Sequence, residues 1–184
     1  MLTLIFLVKR IINIYIMAFL LRGWMQWMHC DFYNPFSQFI VKITQPMINL
    51  TRRVIFILIP LRVISLLLAF ILAVIKLPLL MLIEMHTFIL DPIYVLIGLL
   101  ALLKSAGELV FLVVIIRSLL NWVSQKNTPI DVIIYQLSEP IIYSVSRIFP
   151  VKYGIDFSAI VIIFILYTLN YLFMDLFSEI WYRL

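Results

Sequence analysis

The run His29, Cys30 and Asp31 has the side chains most suggestive of chemistry, because imidazole, thiolate and carboxylate all bind transition metals. Structural zinc needs four ligands, and adjacent residues rarely converge on one ion. The chain has a single cysteine, and its other histidine is His86, on the predicted opposite side of the protein. Sequence neighbours also seldom have the geometry of a Cys–His nucleophile. We therefore predict no metal site, no cofactor and no catalytic residue.

Lys76 is a second candidate, because it interrupts the otherwise apolar run 63–83. A lysine at the centre of a membrane helix costs roughly 2.5–3.5 kcal/mol, so it normally faces a bundle interior or a watery cavity and has a partner. Asn170 occupies the corresponding place in a later apolar run. One interpretation pairs the two in a substrate site at the membrane midplane. The other pairs Lys76 with any neighbouring helix, for structure alone.

Lys104 and Glu108 complete the candidate polar core, being one helical turn apart within an apolar run. At that spacing the two side chains can form an ion pair along their own helix. Ser105, Ala106 and Gly107 between them permit close approach of another helix. A purely structural pair is the simpler interpretation, because it satisfies both charges within one helix.

The composition places these residues in a membrane protein. Of 184 residues, 65% are hydrophobic and 12% charged, and the mean hydropathy is +1.17. Soluble domains have roughly 45–50% apolar and about 25% charged residues. The net charge of +5 is the kind of bias that cytoplasmic loops and anionic lipid produce, and we expect the bilayer rather than nucleic acid as the partner.

Four windows reach the roughly 20 apolar residues that a membrane helix needs. They lie at about 4–28, at about 63–83, within 93–123, and at about 157–177. Two further stretches, 35–55 and 129–149, have apolar residues at the spacing of an amphipathic helix. Pro46 and Pro140 interrupt them, and proline bends or breaks a helix. We predict proline-broken helices there, interfacial or re-entrant rather than spanning.

The chain also repeats itself. A separation of 95 residues links Lys9 with Lys104, Arg22 with Arg117, and Trp27 with Trp122. After that point the separation is 94, and it links Pro35 with Pro129, Pro46 with Pro140, Arg53 with Arg147, and Lys76 with Asn170. A separation that stays this constant over most of the chain indicates a duplication. We predict two parallel repeats, 1–90 and 91–184, each containing a span, an amphipathic helix and a span.

Positive charge sets the predicted orientation. Nine basic residues fall on one side of the spans, namely Arg22, Lys42, Arg52, Arg53, Arg62, Arg117, Lys126, Arg147 and Lys152. Only Lys9, Arg10, Lys104 and Arg183 fall on the other. The richer side should face the cytoplasm, with both termini periplasmic. Arg22 and Arg117 then reach lipid phosphate or the following amphipathic helix, and Arg52, Arg53 and Arg147 are candidates for binding lipid or partner proteins. Trp27 and Trp122 mark the headgroup level.

The doubled pattern resembles the YggT family of integral membrane proteins over nearly the whole chain. The pattern is R-x4-W, then N-P or T-P, then Q-P or E-P, then R-R or S-R, and finally GIDFS at 154–158. The stretch LLRGWMQWMHCDFYNPFSQF is similar to the enterobacterial-type members of that family. The family usually has the acid of the I-D-x-S motif in both halves. Here Asp156 is that acid in the second half, and Arg62 replaces it in the first.

The resemblance implies a bacterial inner-membrane protein that is not an enzyme. Bacterial members are associated with osmotic-stress tolerance and potassium uptake, and plastid relatives with haem-attachment machinery and with thylakoid or nucleoid organisation. Two functions follow. One is support of ion or osmolyte uptake, with an oligomer expected because four spans barely enclose a pore. The other is a scaffold or assembly factor that recruits lipid and membrane-protein partners.

Overall fold

The computed structural model describes residues 2–54, 60–85, 91–123, 128–147 and 157–184. In these ranges the chain forms helices and no strands: α1 (Leu2–Trp27), α2 (Pro35–Val54), α3 (Leu61–Met85), α4 (Ile93–Val123), α5 (Pro129–Ser146), α6 (Phe157–Leu176) and α7 (Ser178–Arg183). Four of them, α1, α3, α4 and α6, are long and apolar enough to cross a membrane. The predicted all-helical membrane fold with four spans is confirmed.

The core lies where α1, α3 and α4 pack together. Gly98 of α4 sits directly against Val74 of α3, so closely that a Cβ atom on Gly98 would lie 2.8 Å from the Val74 Cα. Small residues at a crossing let membrane helices approach to this distance. Ala69, Ala73 and Ala101 are buried in the same core. The close contact fixes the register of α3 against α4.

Helices α2 and α5 each begin at a proline, Pro35 and Pro129, where the missing N–H costs nothing. Both helices then run unbroken through Pro46 and Pro140, where a break was predicted. Proline removes the hydrogen bond to the carbonyl four residues earlier. Those carbonyls belong to Lys42 and Gln136, which are both exposed, so water can replace the lost bond. The interfacial helices are therefore continuous.

Helix α7 was not predicted. After Phe177 leaves helical geometry, the chain forms a six-residue helix that packs back on α6. The Trp181 ring stacks on Phe173 with ring centroids 5.1 Å apart, and Trp181 is almost fully buried. This return brings the main-chain oxygens of α7 against α3 and α4, and the polar residues of the core use them.

Candidate polar site within the membrane spans

Lys76 is buried near the middle of α3, with 1% of its surface exposed. Its Nζ donates a hydrogen bond of 2.7 Å to Asn13 Oδ1 on α1 and one of 2.6 Å to the main-chain oxygen of Leu184. A buried ammonium group is tolerated only when such acceptors replace its water. The structure thus places Lys76 inside the bundle, as its position in an apolar run predicts.

Asn13 is the residue that joins the cluster. Its Oδ1 accepts from Lys76 and, at 3.5 Å, from Ser105, and its Nδ2 donates to Glu108 Oε2 at 3.2 Å. Asn13 and Glu108 are 95 residues apart, which is the spacing of the repeat. The corresponding positions of the two halves therefore meet side by side in the core.

Lys104 and α7 form the second part of the cluster. Lys104 Nζ donates to the Trp181 main-chain oxygen at 2.7 Å and lies 5.1 Å from the centroid of the Trp181 ring. The Trp181 indole Nε1 donates to Asn170 Oδ1 at 2.9 Å. Carbonyl groups at the end of a helix have no partner within the helix, and cations are favoured there. Two lysines thus stabilise the end of α7.

Positive charge exceeds negative charge at this site. Glu108 interacts electrostatically with Lys9, Lys76 and Lys104. A cavity of about 600 Å³ lies beside it between α4, α6 and α7, and its polar lining includes Lys104, Glu108, Asn170 and Trp181. Among the described side chains of the cluster, three ammonium groups therefore accompany one carboxylate.

The residues of the two predicted pairs, Lys76 with Asn170 and Lys104 with Glu108, hydrogen-bond to partners other than each other. Lys76 hydrogen-bonds to Asn13 and Leu184, whereas Asn170 bonds to Trp181, so α7 stands between the two predicted partners. Lys104 and Glu108 have separate hydrogen-bond partners in the described residues, Trp181 and Asn13. Sequence reasoning missed Asn13 and Trp181, and it gave Ser105 only a role in close helix packing. The available signal for Asn13 was its spacing of 95 residues from Glu108.

Arg22 and Arg117 lie toward the other end of the bundle and have protein partners. Arg22 is buried and donates to Thr44 Oγ1 at 2.6 Å, Gln45 Oε1 at 2.9 Å and the Val41 carbonyl at 3.3 Å. Arg22 thus reaches α2, the amphipathic helix that follows it, which is one of its two predicted targets.

Arg117 repeats this contact in the second half of the chain. It donates to Ser138 Oγ at 2.8 Å, and Tyr135 stacks on its guanidinium at 4.7 Å. Ser138 follows Thr44 by 94 residues, so the contact recurs at the spacing of the sequence repeat.

One protein-family profile matches most of the chain. The profile of the CCB3/YggT family matches residues 1–83 and 96–177, two segments that begin 95 residues apart. The chain belongs to the CCB3/YggT family. It is 46% identical to YggT of Escherichia coli K12 over 168 residues, covering 91% of this chain and 87% of that protein.

Other YggT-like relatives span the chain as well. A Vibrio alginolyticus protein encoded in the proC 3' region is 41% identical over 180 residues, covering 97% of both chains. A Haemophilus influenzae protein is 34% identical over 171 residues, covering 93% of this chain and 91% of its own. No solved structure matches significantly.

The remaining motif residues of this YggT family member lie at helix ends. Trp27 ends α1 and is 72% exposed, as expected of a ring at the headgroup level. Arg52 and Arg147 are exposed at the ends of α2 and α5. Asp156 and the side chains of Arg53 and Trp122 lie outside the described residues, so their predicted roles stay predictions.

The run His29, Cys30 and Asp31 is the turn after α1. Cys30 is buried, which raises the pKa of its thiol and disfavours the nucleophilic thiolate. Asp31 instead accepts a hydrogen bond from the Tyr33 N–H at 2.9 Å, as a turn residue does. In the described part of the chain, His, Cys, Asp and Glu form no group of three that could hold a metal ion. His86 lies outside it.

Proposed function

We propose that this protein supports ion or osmolyte uptake during osmotic stress, from the bacterial inner membrane and without catalysing a reaction. The observation that carries the proposal is the cluster of buried Lys76, Asn13 and Ser105 with half-buried Glu108, near the middle of three spans. Ionisable residues at that depth are expensive and typically line solute or proton pathways. A cavity beside the cluster supplies space for a solute.

The sign of the charge favours some solutes over others. Three lysines surround Glu108, so a bare monovalent cation entering the cluster meets net repulsion. A solute with a carboxylate can instead accept hydrogen bonds from Lys104, whose Nζ has a single hydrogen bond in the described residues, to Trp181. We therefore propose an anionic or zwitterionic osmolyte, with any effect on potassium being indirect.

The test measures osmolyte accumulation and growth after a salt upshift, in cells that lack the chromosomal copy of this protein and express a variant instead. Lys76→Met removes the ammonium group that donates two hydrogen bonds within the cluster, and we expect osmolyte accumulation to fall about tenfold. Arg52→Ala is the matched control, because it removes a cation that is exposed on α2, away from the cluster. It should accumulate osmolyte like the wild type.

The reverse outcome supports a scaffold. The exposed arginines Arg52 and Arg147 are the specific feature in its favour, since surface cations next to a membrane bind anionic lipids and partners. If Arg52→Ala or Arg147→Ala abolishes growth and loses co-purifying proteins, while Lys76→Met is tolerated, the transport proposal is wrong.

Oligomerisation is a separate expectation of the transport proposal. Four spans within one chain provide few walls for a pathway, and α6 is the least buried of them. We expect the protein extracted in native lipid to have the mass of two or more chains. A single-chain mass, with retained transport after reconstitution, would show that one copy suffices.

A further inference from the structure

A second cavity, of about 820 Å³, lies between α1, α2 and α3 at the Trp27 end of the bundle, far along the spans from Lys76. Three of its lining side chains are cations, Arg22 on α1, Lys42 on α2 and Arg62 on α3. No carboxylate lines it among the described residues. In the described part of the chain, three positive charges from three helices therefore surround a cavity that no carboxylate lines.

Arg22 has hydrogen-bonding capacity that the protein does not use. It is only 4% exposed, and its Nη1 and Nη2 donate to α2, but Nε has no hydrogen-bond partner among the residues that the structure describes. A buried N–H without an acceptor costs about 1–3 kcal/mol, so an acceptor from a ligand is favoured. Gln26, also on the cavity wall, has a buried Oε1 without a partner, and rotating its amide by 180° presents an NH2 group instead.

The corresponding place in the second half shares the buried Nε without a partner among the described residues, on Arg117, but its sequence lacks the two added cations. Gln136 stands where Lys42 does, and Asp156 where Arg62 does. Tyr135 replaces Val41, and its ring covers the Arg117 guanidinium while its hydroxyl donates to Asn121 Oδ1. The Arg–helix contact is thus kept in both halves, and the sequence adds two cations in the first half, Lys42 and Arg62, where the second has Gln136 and Asp156.

We propose that this cavity, with Arg22, Lys42 and Arg62 converging on it, binds a phosphate group. A guanidinium fork matches phosphate geometry, and lysine adds charge to the same oxygens. The cavity lies at the level of exposed Trp27, where lipid headgroups are expected. The phosphate can belong to an anionic lipid or be free in solution, and the site chemistry is the same for both.

Thermal unfolding in an uncharged detergent tests this site and separates the two sources. The probes are dioleoylphosphatidylglycerol, dioleoylphosphatidylcholine, and sodium phosphate against sodium chloride at equal ionic strength. We expect phosphatidylglycerol or phosphate to raise the unfolding midpoint saturably, and phosphatidylcholine, whose choline opposes the phosphate charge, to have little effect. Stabilisation by phosphatidylglycerol alone assigns a lipid, and stabilisation by sodium phosphate as well assigns the free anion.

The deciding variant is Lys42→Gln combined with Arg62→Asp, which gives the first half the residues of the second. Both side chains are exposed, so unfolding without a probe should change little. The half-saturating probe concentration should rise at least about tenfold, from the loss of two charge-assisted contacts. Arg147→Ala, an exposed cation outside the cavity, is the matched control and should bind like the wild type.

The proposal is overturned if no probe stabilises the protein, or if phosphatidylcholine does so as well as phosphatidylglycerol. It is also overturned if Arg147→Ala weakens binding as much as the double variant, since the effect would then be general surface charge. None of these results depends on osmolyte uptake, so the site and the proposed function can fail separately.

Discussion

Gly98→Ala should destabilise this protein strongly, although the substitution adds only one methyl group. The new Cβ would overlap Val74 Cγ2, and it would lie 2.8 Å from Val74 Cα and 3.0 Å from Val74 N. Rotation of the valine side chain relieves the first contact only, because the other two are with main-chain atoms. Helix α4 must therefore move away from α3, and overpacking of this kind costs at least about 2 kcal/mol.

Gly107→Ala is the control on the same helix. A Cβ at Gly107 meets nothing within 4 Å, and alanine favours a helix over glycine by about 1 kcal/mol, so this variant should be as stable as the wild type or more so. Unfolding by denaturant in detergent measures both. Equal stability of the two variants would show that α3 and α4 pack less tightly than these distances imply.

Asn13→Leu should be the most destabilising change in the polar cluster, and Lys76→Met should remove that cost. Without Asn13, Lys76 loses one of its two acceptors and Glu108 loses the amide that donates to its Oε2. Breaking a buried charged network on one side costs about 3 kcal/mol. With methionine at position 76 no ammonium remains to be satisfied, and Asn13→Leu should then cost far less.

A double-mutant cycle of unfolding free energies measures this coupling. Lys76→Met alone should leave stability unchanged or raise it, because apolar replacement of a buried charge is often stabilising. The same variant is expected to lose osmolyte accumulation, so stability and function would move in opposite directions. Additive costs in the cycle would mean that Asn13 and Lys76 do not depend on each other.

The interfacial helices show why sequence periodicity gave only part of the packing. Seven apolar residues at helical spacing predict one apolar face, and α2 does form; they are Phe36, Phe39, Ile40, Ile43, Met47, Leu50 and Val54. The structure divides this face: Ile40 is buried and Phe36 and Met47 pack against the core, whereas Phe39, Ile43 and Leu50 are exposed, where lipid can cover them. The buried residues of α2 also include Ser37, Thr44 and Ile48, which lie outside the predicted face. Hydrophobicity cannot distinguish these faces, because lipid and protein interiors are equally apolar.

The spans, the surface helices and the repeat spacing can be predicted without a structure, because each depends on local hydrophobicity or on residue order. The same is true of Lys76, Lys104 and Glu108 as costly charges that need partners. The identity of those partners depends on how the helices pack in three dimensions. Asn13 comes from another helix, and the oxygens of Trp181 and Leu184 are main-chain atoms that no side-chain pattern encodes. These main-chain oxygens become available as acceptors only when α7 folds back, because their hydrogen bonds depend on the position of the backbone in the folded protein.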